Sequence, residues 1–232
     1  MTYHLRLKNV GKRFNREWIF RNCDYTFQTG MSYAITGHNG SGKSTLLQTI
    51  AGAINPSEGE VSLIVEHEPF TDGAAVGERS TVHAQHLYKH LSIAAPYLEL
   101  VEEMTATEML KFHASFKPLL PNISIAEILQ LIGLEKAANK QIRFYSSGMK
   151  QRIKLAQAIF SDVPILLLDE PCTNFDAIGY ALYHQLIHDY CQEKLLIVCS
   201  NDEQEYGFCK EKMLLLRAVV HHNSDSVKNI IS

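Results

Sequence analysis

Five short runs of the chain are almost wholly apolar: Tyr33–Thr36, Leu91–Ala95, Ile165–Leu168, Leu195–Ser200 and Met213–Arg217. Continuous runs of this length read as strands buried on both faces, as the strands of a parallel sheet are. Most are separated by stretches with apolar residues at helical spacing, which supply the crossovers a parallel sheet needs. The beginning of the chain has a different rhythm. Leu5–Val10, Trp18–Phe20 and Asp24–Phe27 alternate apolar and polar positions and predict short antiparallel strands. NPSEGE, residues 55–60, is a turn cluster before a further strand, Val61–Val65. From Tyr97 to about Tyr145 the pattern turns helical and polar-faced, with TATEMLKFHASF, then SIAEILQLIGL and a stop at Gly133. The expectation is an α/β fold with a mostly parallel core sheet, an antiparallel β flank and a helical subdomain at roughly 97–160, within a single domain of residues 1–232.

The first buried strand runs straight into GHNGSGKST, and an apolar helix pattern, LLQTIAG, follows. The turn matches G-x-x-x-x-G-K-[ST] at Gly37, Gly42, Lys43 and Ser44. Glycines let the backbone curl so that successive N–H groups point at phosphate oxygens, and the helix adds its positive N-terminal dipole. Lys43 is then placed to reach the β- and γ-phosphates, and the Ser44 hydroxyl to bind Mg²⁺. The whole stretch of Gly37, His38, Asn39, Gly40, Ser41, Gly42, Lys43, Ser44 and Thr45 is the expected nucleotide cradle of a P-loop NTPase.

Phosphoryl chemistry of this kind also needs a carboxylate at the end of a second strand, and DVPILLLDEP supplies two. Asp169 is the expected metal-shell group, and Glu170 is placed to polarise an attacking water. Between the two motifs lies FYSSGMKQRIKLAQAIF, where Ser146 and Ser147 open an amphipathic run with Ile153, Leu155, Ala156, Ile159 and Phe160 on one face. Taken alone, this helix start is either a plain N-cap or a second anion site. His83, His86 and His90 recur at helical spacing, but with no carboxylate or cysteine at ligand spacing they read as solvated or partly packed histidines.

Charge and cysteine content narrow the possible partners. With 22 basic against 25 acidic residues the net charge is -3, so no nucleic acid partner is expected. The five cysteines are odd in number and lack CxxC spacing, which argues for reduced cytosolic thiols over a disulfide or zinc framework. No window approaches the eighteen or so apolar residues of a spanning helix, so a membrane role would come through a partner.

Taken in order, the glycine turn, the serine-glycine helix start, the strand ending in Asp-Glu and a further buried strand resemble an ATP-binding cassette (ABC) protein over nearly the whole chain. YSSGMKQR resembles the family's LSGGQxQR signature, with Ser146 and Gly148 at its serine and second glycine. PCTNFDAIG resembles the D-loop, which puts Asn174, Phe175 and Asp176 at a subunit contact. Phe14 falls where the family keeps an aromatic that stacks on adenine; a core aromatic at a strand end is the other reading. The resemblance implies that Ser146 and Gly148 close over the ATP of a second cassette, in a homodimer or heterodimer, and that hydrolysis reopens the pair. It also implies a separately encoded transmembrane permease and a place on the cytoplasmic face of the membrane.

Two positions depart from the family pattern. Counting back from Thr105, Ala106, Thr107 and Glu108, which resemble T-V-x-E, the glutamine expected near the metal falls at Pro96. Asn201, before Asp202, stands where a switch histidine is expected; its amide can hydrogen-bond a γ-phosphate but cannot carry a proton. The expected function is the ATP-binding and ATP-hydrolysing subunit of a membrane transporter, with Glu170, Lys43 and Asn201 as catalytic groups. The alternative is a nucleotide-dependent regulatory clamp of the same fold that barely turns over.

Overall fold

The structure is a computed structural model that describes residues 1–66 and 79–216. The chain opens with two long strands, β1 (Thr2–Phe14) and β2 (Glu17–Gln28), followed by β3 (Ser32–Thr36), helix α1 (Lys43–Ile50), β4 (Glu58–Glu66), β5 (Arg79–His83) and β6 (Leu91–Ala94). Helices α2 (Ala106–Phe116), α3 (Ile125–Leu131) and α4 (Ser147–Ile159) come next. The chain then runs through β7 (Ile165–Asp169), α5 (Ala177–Tyr190), β8 (Leu195–Cys199), the short α6 (Glu203–Tyr206) and β9 (Glu211–Leu214).

Strands β6, β7, β8, β3 and β9 form one sheet in that order, every pairing parallel. Strands β2, β1, β4 and β5 form a second sheet whose pairings are all antiparallel. Side chains alternate across a strand, so the parallel sheet serves two cores. Leu166, Leu168, Leu196 and Val198 face a cluster that includes Leu110 of α2, Ile128 of α3, Ile153 and Ile159 of α4 and Tyr183 of α5. Their neighbours Ile165, Leu167, Leu195 and Ile197 face Leu46, Leu47 and Ile50 of α1, with Leu5, Phe20 and Phe27 from the antiparallel sheet. Burial on both faces explains why these strands read as unbroken apolar runs. The two cores also hold the thiols: Cys23 and Cys199 lie in the second cluster and Cys172 and Cys191 in the first, with Cys209 packed at its edge. Burial pushes Cys23, Cys191 and Cys209 up to about 12.

The elements differ from the sequence reading in four places. Trp18–Phe20 and Asp24–Phe27 belong to one continuous strand, because Asn22 adopts φ 55° and lets the strand bulge and carry on against β1, whose own register shifts near Asn9 at φ 49°. His83 ends a strand and His86 lies in a 3-10 turn, so the three histidines share no helix face, and no group of three or more His, Cys, Asp or Glu side chains placed to hold a metal occurs among the described residues. The last strand, expected at Met213–Arg217, is shifted toward the N-terminus, and Arg217 lies outside the described residues, as do residues 70–78 of the histidine-containing stretch.

Helix also fails to begin at Tyr97. Residues 98–105 contain none, and α2 begins only where the Thr105 hydroxyl accepts from Glu108 N–H at 3.2 Å while the Glu108 carboxylate accepts from Thr105 N–H at 2.8 Å. Ser124 and Glu127 repeat this reciprocal cap on α3. Thr105→Ala removes half of the first cap and is expected to cost about 1 kcal/mol of stability. In thermal unfolding this should read as a fall of about 2–4 °C; an unchanged midpoint would mean that packing alone sets the start of α2.

Candidate active site

The glycine turn joins β3 to α1, and its glycines are required by their surroundings. Gly42, the residue before α1, sits at φ 100°, and a Cβ there would strike the Ile19 side chain of β2. A Cβ on Gly37 would strike the Leu215 carbonyl oxygen. The antiparallel sheet and the end of the parallel sheet therefore close on the turn from two sides. No side chain caps α1, which leaves its first amides for an anion. Lys43 is only 6% exposed; its ammonium curls back to donate to the Gly37 carbonyl at 2.8 Å and the His38 carbonyl at 3.4 Å. The Ser41 and Thr36 hydroxyls are buried beside it with no hydrogen-bond partner.

Strand β7 delivers Asp169 to the same place. Its carboxylate is 1% exposed, and apart from a loose approach of the Ser44 hydroxyl neither oxygen has a hydrogen-bond partner. A buried, unsatisfied carboxylate is costly, and the cost falls away if a cation sits against it. Burial pushes the group up to about 6, against the pull of Ser44 and Lys43. Glu170 follows at φ 42°, a left-handed backbone unusual for a glutamate, and its side chain is exposed. A tight turn holds it there: Glu170 N–H donates to the Cys199 carbonyl at 2.9 Å, and the Thr173 hydroxyl donates to the Glu170 carbonyl at 2.8 Å.

Asn201 comes off the end of β8 directly onto the glycine turn. Its amide oxygen accepts from Gly37 N–H at 3.3 Å and its amide nitrogen donates to Asn39 Oδ1 at 2.7 Å. Pro96 lies on the loop after β6. Pro96 offers only its carbonyl, to Lys154 Nζ at 2.8 Å, whereas the next residue, Tyr97, pairs its phenol with Gln48 of α1 and stands in the field of Asp169. Burial, joined by that negative field, pushes Tyr97 up to about 12.

Ser146 caps α4 by accepting from Met149 N–H at 3.2 Å. Gly148, one turn position on, lies against the D-loop, where an added Cβ would stand 3.3 Å from the Asn174 carbonyl oxygen. Asp176 caps α5 by accepting from Gly179 N–H at 2.8 Å. Among the described residues no hydrogen bond ties Ser146 or Gly148 to the glycine turn of this chain. Phe14, at the end of β1, is 49% exposed with the Lys12 ammonium 5.1 Å from its ring centre, so it is a surface aromatic and not a core one. Two braces beneath the Asp169–Glu170 segment had no signal in the sequence. Gln151 donates to the Pro171 carbonyl at 2.8 Å, and Glu205 accepts from Cys172 N–H at 2.7 Å; each bond spans at least 20 residues.

Geometry of this kind has counterparts among known proteins. The chain is 29% identical to an uncharacterized ABC transporter ATP-binding protein of Bacillus subtilis, over 85% of this chain and 84% of that one. It is 28% identical to the cytochrome c biogenesis ATP-binding export protein CcmA of Agrobacterium fabrum, over 86% of this chain and 89% of that one. Among solved structures, a dimeric post-hydrolysis ATP-binding cassette bound to ADP and Pi superposes with a TM-score of 0.72 at 23% identity, covering 91% of this chain and 94% of that one. The family model described as ABC transporter matches residues 20–173. That match takes in the glycine turn, the serine-glycine helix start and the Asp169–Glu170 strand end, and with it the chain belongs to the ABC transporter family, with the fold of its ATP-binding cassettes.

Proposed function

We propose that this chain is the ATP-binding and ATP-hydrolysing subunit of a membrane transporter. The observation that carries the reading is the buried Asp169 carboxylate, met only loosely by the Ser44 hydroxyl, beside Lys43 and the glycine turn. A hard divalent cation satisfies such a carboxylate, and Asp169 with the Ser44 hydroxyl would hold Mg²⁺ there, neutralising charge on the β- and γ-phosphates. Lys43 exchanges its two turn carbonyls for phosphate oxygens, and the open amides of the turn and of α1 take the remaining charge. Phe14 offers its exposed ring to the adenine base. Glu170, held by its turn above the sheet edge, accepts a proton from the attacking water.

Ser146 and Gly148 are not joined to their own glycine turn, so they serve the nucleotide of a second cassette, and ATP is sandwiched between two subunits. The relatives are described as transporter and export ATP-binding proteins, and no helix of the described residues is long and apolar enough to cross a membrane. A separate permease would therefore hold this subunit at the cytoplasmic face of the membrane.

Phosphate release from Mg·ATP by the wild type, Asn201→His and Asn201→Ala tests the reading. An imidazole at position 201 should raise turnover by on the order of tenfold, equivalent to about 1.4 kcal/mol of transition-state stabilisation. Alanine should lower it, since both amide bonds to the turn disappear. Near-zero turnover in all three proteins would overturn the hydrolytic role and leave a nucleotide clamp.

A further inference from the structure

We infer that Glu205 is a positioning residue for hydrolysis, joining the loop that carries Asn201 to the turn that carries Glu170 through its buried carboxylate. The inference rests on the reading of those two residues given above. Glu205 is 4% exposed and lies on α6, four residues after Asn201. Its Oε1 accepts from Cys172 N–H at 2.7 Å, and Cys172 is two residues after Glu170 in the turn that holds Glu170 in its left-handed conformation. A buried carboxylate that accepts from a backbone amide is a strong, directional link, and leaving that amide unpaired would be costly.

The same short segment is bound to the start of α5. Tyr180 donates its hydroxyl to Asp202 Oδ2 at 2.6 Å and Tyr183 donates to the Glu205 carbonyl at 2.8 Å. Helix α5 begins at the D-loop residue Asp176. Burial pushes the Glu205 carboxyl up, and the Ser200 hydroxyl and Cys172 amide pull against that. The loop after β8 that touches the glycine turn through Asn201 is thereby fastened both to the base of Glu170 and to the helix behind the D-loop. A shift of Asn201 on nucleotide binding is passed to Glu170 through this carboxylate, so the water-activating group is set only when the cradle is filled.

The test compares Glu205→Gln, Glu205→Ala and Glu205→Asp with the wild type in steady-state ATP hydrolysis and in backbone amide exchange with and without Mg·ATP. The glutamine oxygen can still accept from Cys172 N–H, so this variant should keep kcat within about threefold. Alanine and aspartate should lower kcat by roughly 5- to 150-fold, the usual range of a coupling between sites, with the KM for ATP nearly unchanged. In the wild type and the glutamine variant ATP should slow exchange at residues 37–45 and also at 171–176; in the other two only residues 37–45 should respond. Aspartate keeps the charge and withdraws the acceptor by one methylene, so it carries the comparison if the alanine variant does not fold. The inference is overturned if the alanine or aspartate variant keeps wild-type kcat, if ATP protects 171–176 in them as in the wild type, or if glutamine fares no better than aspartate. Failure of ATP to protect residues 37–45 in the wild type is a different result, which removes the functional reading and this inference with it.

Discussion

Lys43→Ala is expected to weaken ATP binding by roughly 10- to 150-fold, the equivalent of about 1.5–3 kcal/mol for hydrogen bonds to a charged group. Lys43 supplies the fixed cation of the turn; its ammonium donates to the Gly37 and His38 carbonyls, and the His38 carbonyl also accepts from Ser41 N–H at 3.0 Å, so it keeps a partner when the lysine turns to a phosphate. Titration calorimetry of both proteins with Mg·ATP is the check, with thermal unfolding to confirm that the alanine variant keeps the fold. Equal affinities would mean that the turn does not grip the triphosphate.

Glu170→Gln is expected to leave ATP affinity close to wild type and to lower turnover by roughly 10²- to 10³-fold, since the carboxamide keeps the shape but cannot take a proton. The backbone at Glu170 is already committed to its left-handed turn by Thr173 and Cys199, so glutamine inherits the same placement. Slow loss of ATP should let the ATP-bound dimer accumulate, read by light scattering under excess nucleotide. A persistently monomeric Glu170→Gln protein would exclude a homodimer and direct the search to an unequal partner cassette. Unchanged turnover would remove Glu170 from the chemistry altogether.

Local chemistry made parts of this architecture readable in advance. The glycine turn is contiguous, and each of its constraints belongs to a residue type: glycine where Ile19 and the Leu215 carbonyl crowd the backbone, lysine where charge is needed. The strand ending in Asp169 and Glu170 stood out because a strand buried on both faces must be apolar up to the point where it meets the site. What escaped depends on partners distant in sequence or on backbone freedom. Asn22 looks like a chain breaker, yet asparagine tolerates positive φ and here sustains a bulge in a long strand. Strand β5, RSTVH, is an exposed polar edge with one partner, β4, so it carries almost no apolar signal. Tyr97 meets Gln48 and Asp169 only because an irregular loop folds back over α1, and no periodicity describes such a loop. Glu205 reads as one more acidic residue in an exposed segment until its Cys172 partner, 33 positions earlier, is seen.

The distribution of thiols over the two cores has a practical consequence for following how this protein comes apart. Burial pushes the Cys23 and Cys191 thiols up to about 12, so thiolate is scarce at either site at neutral pH and an alkylating reagent finds little to attack while the cores stay shut. Modification thus reports opening, and each cysteine reports on its own side of the sheet. Cys23 signals separation of the antiparallel flank, Cys191 separation of the helical face, and Cys199, whose thiol lies under the Lys43 carbonyl, release of the nucleotide cradle. Pulse alkylation read by peptide mass, with and without ATP, would order those three events in time on the unmodified chain.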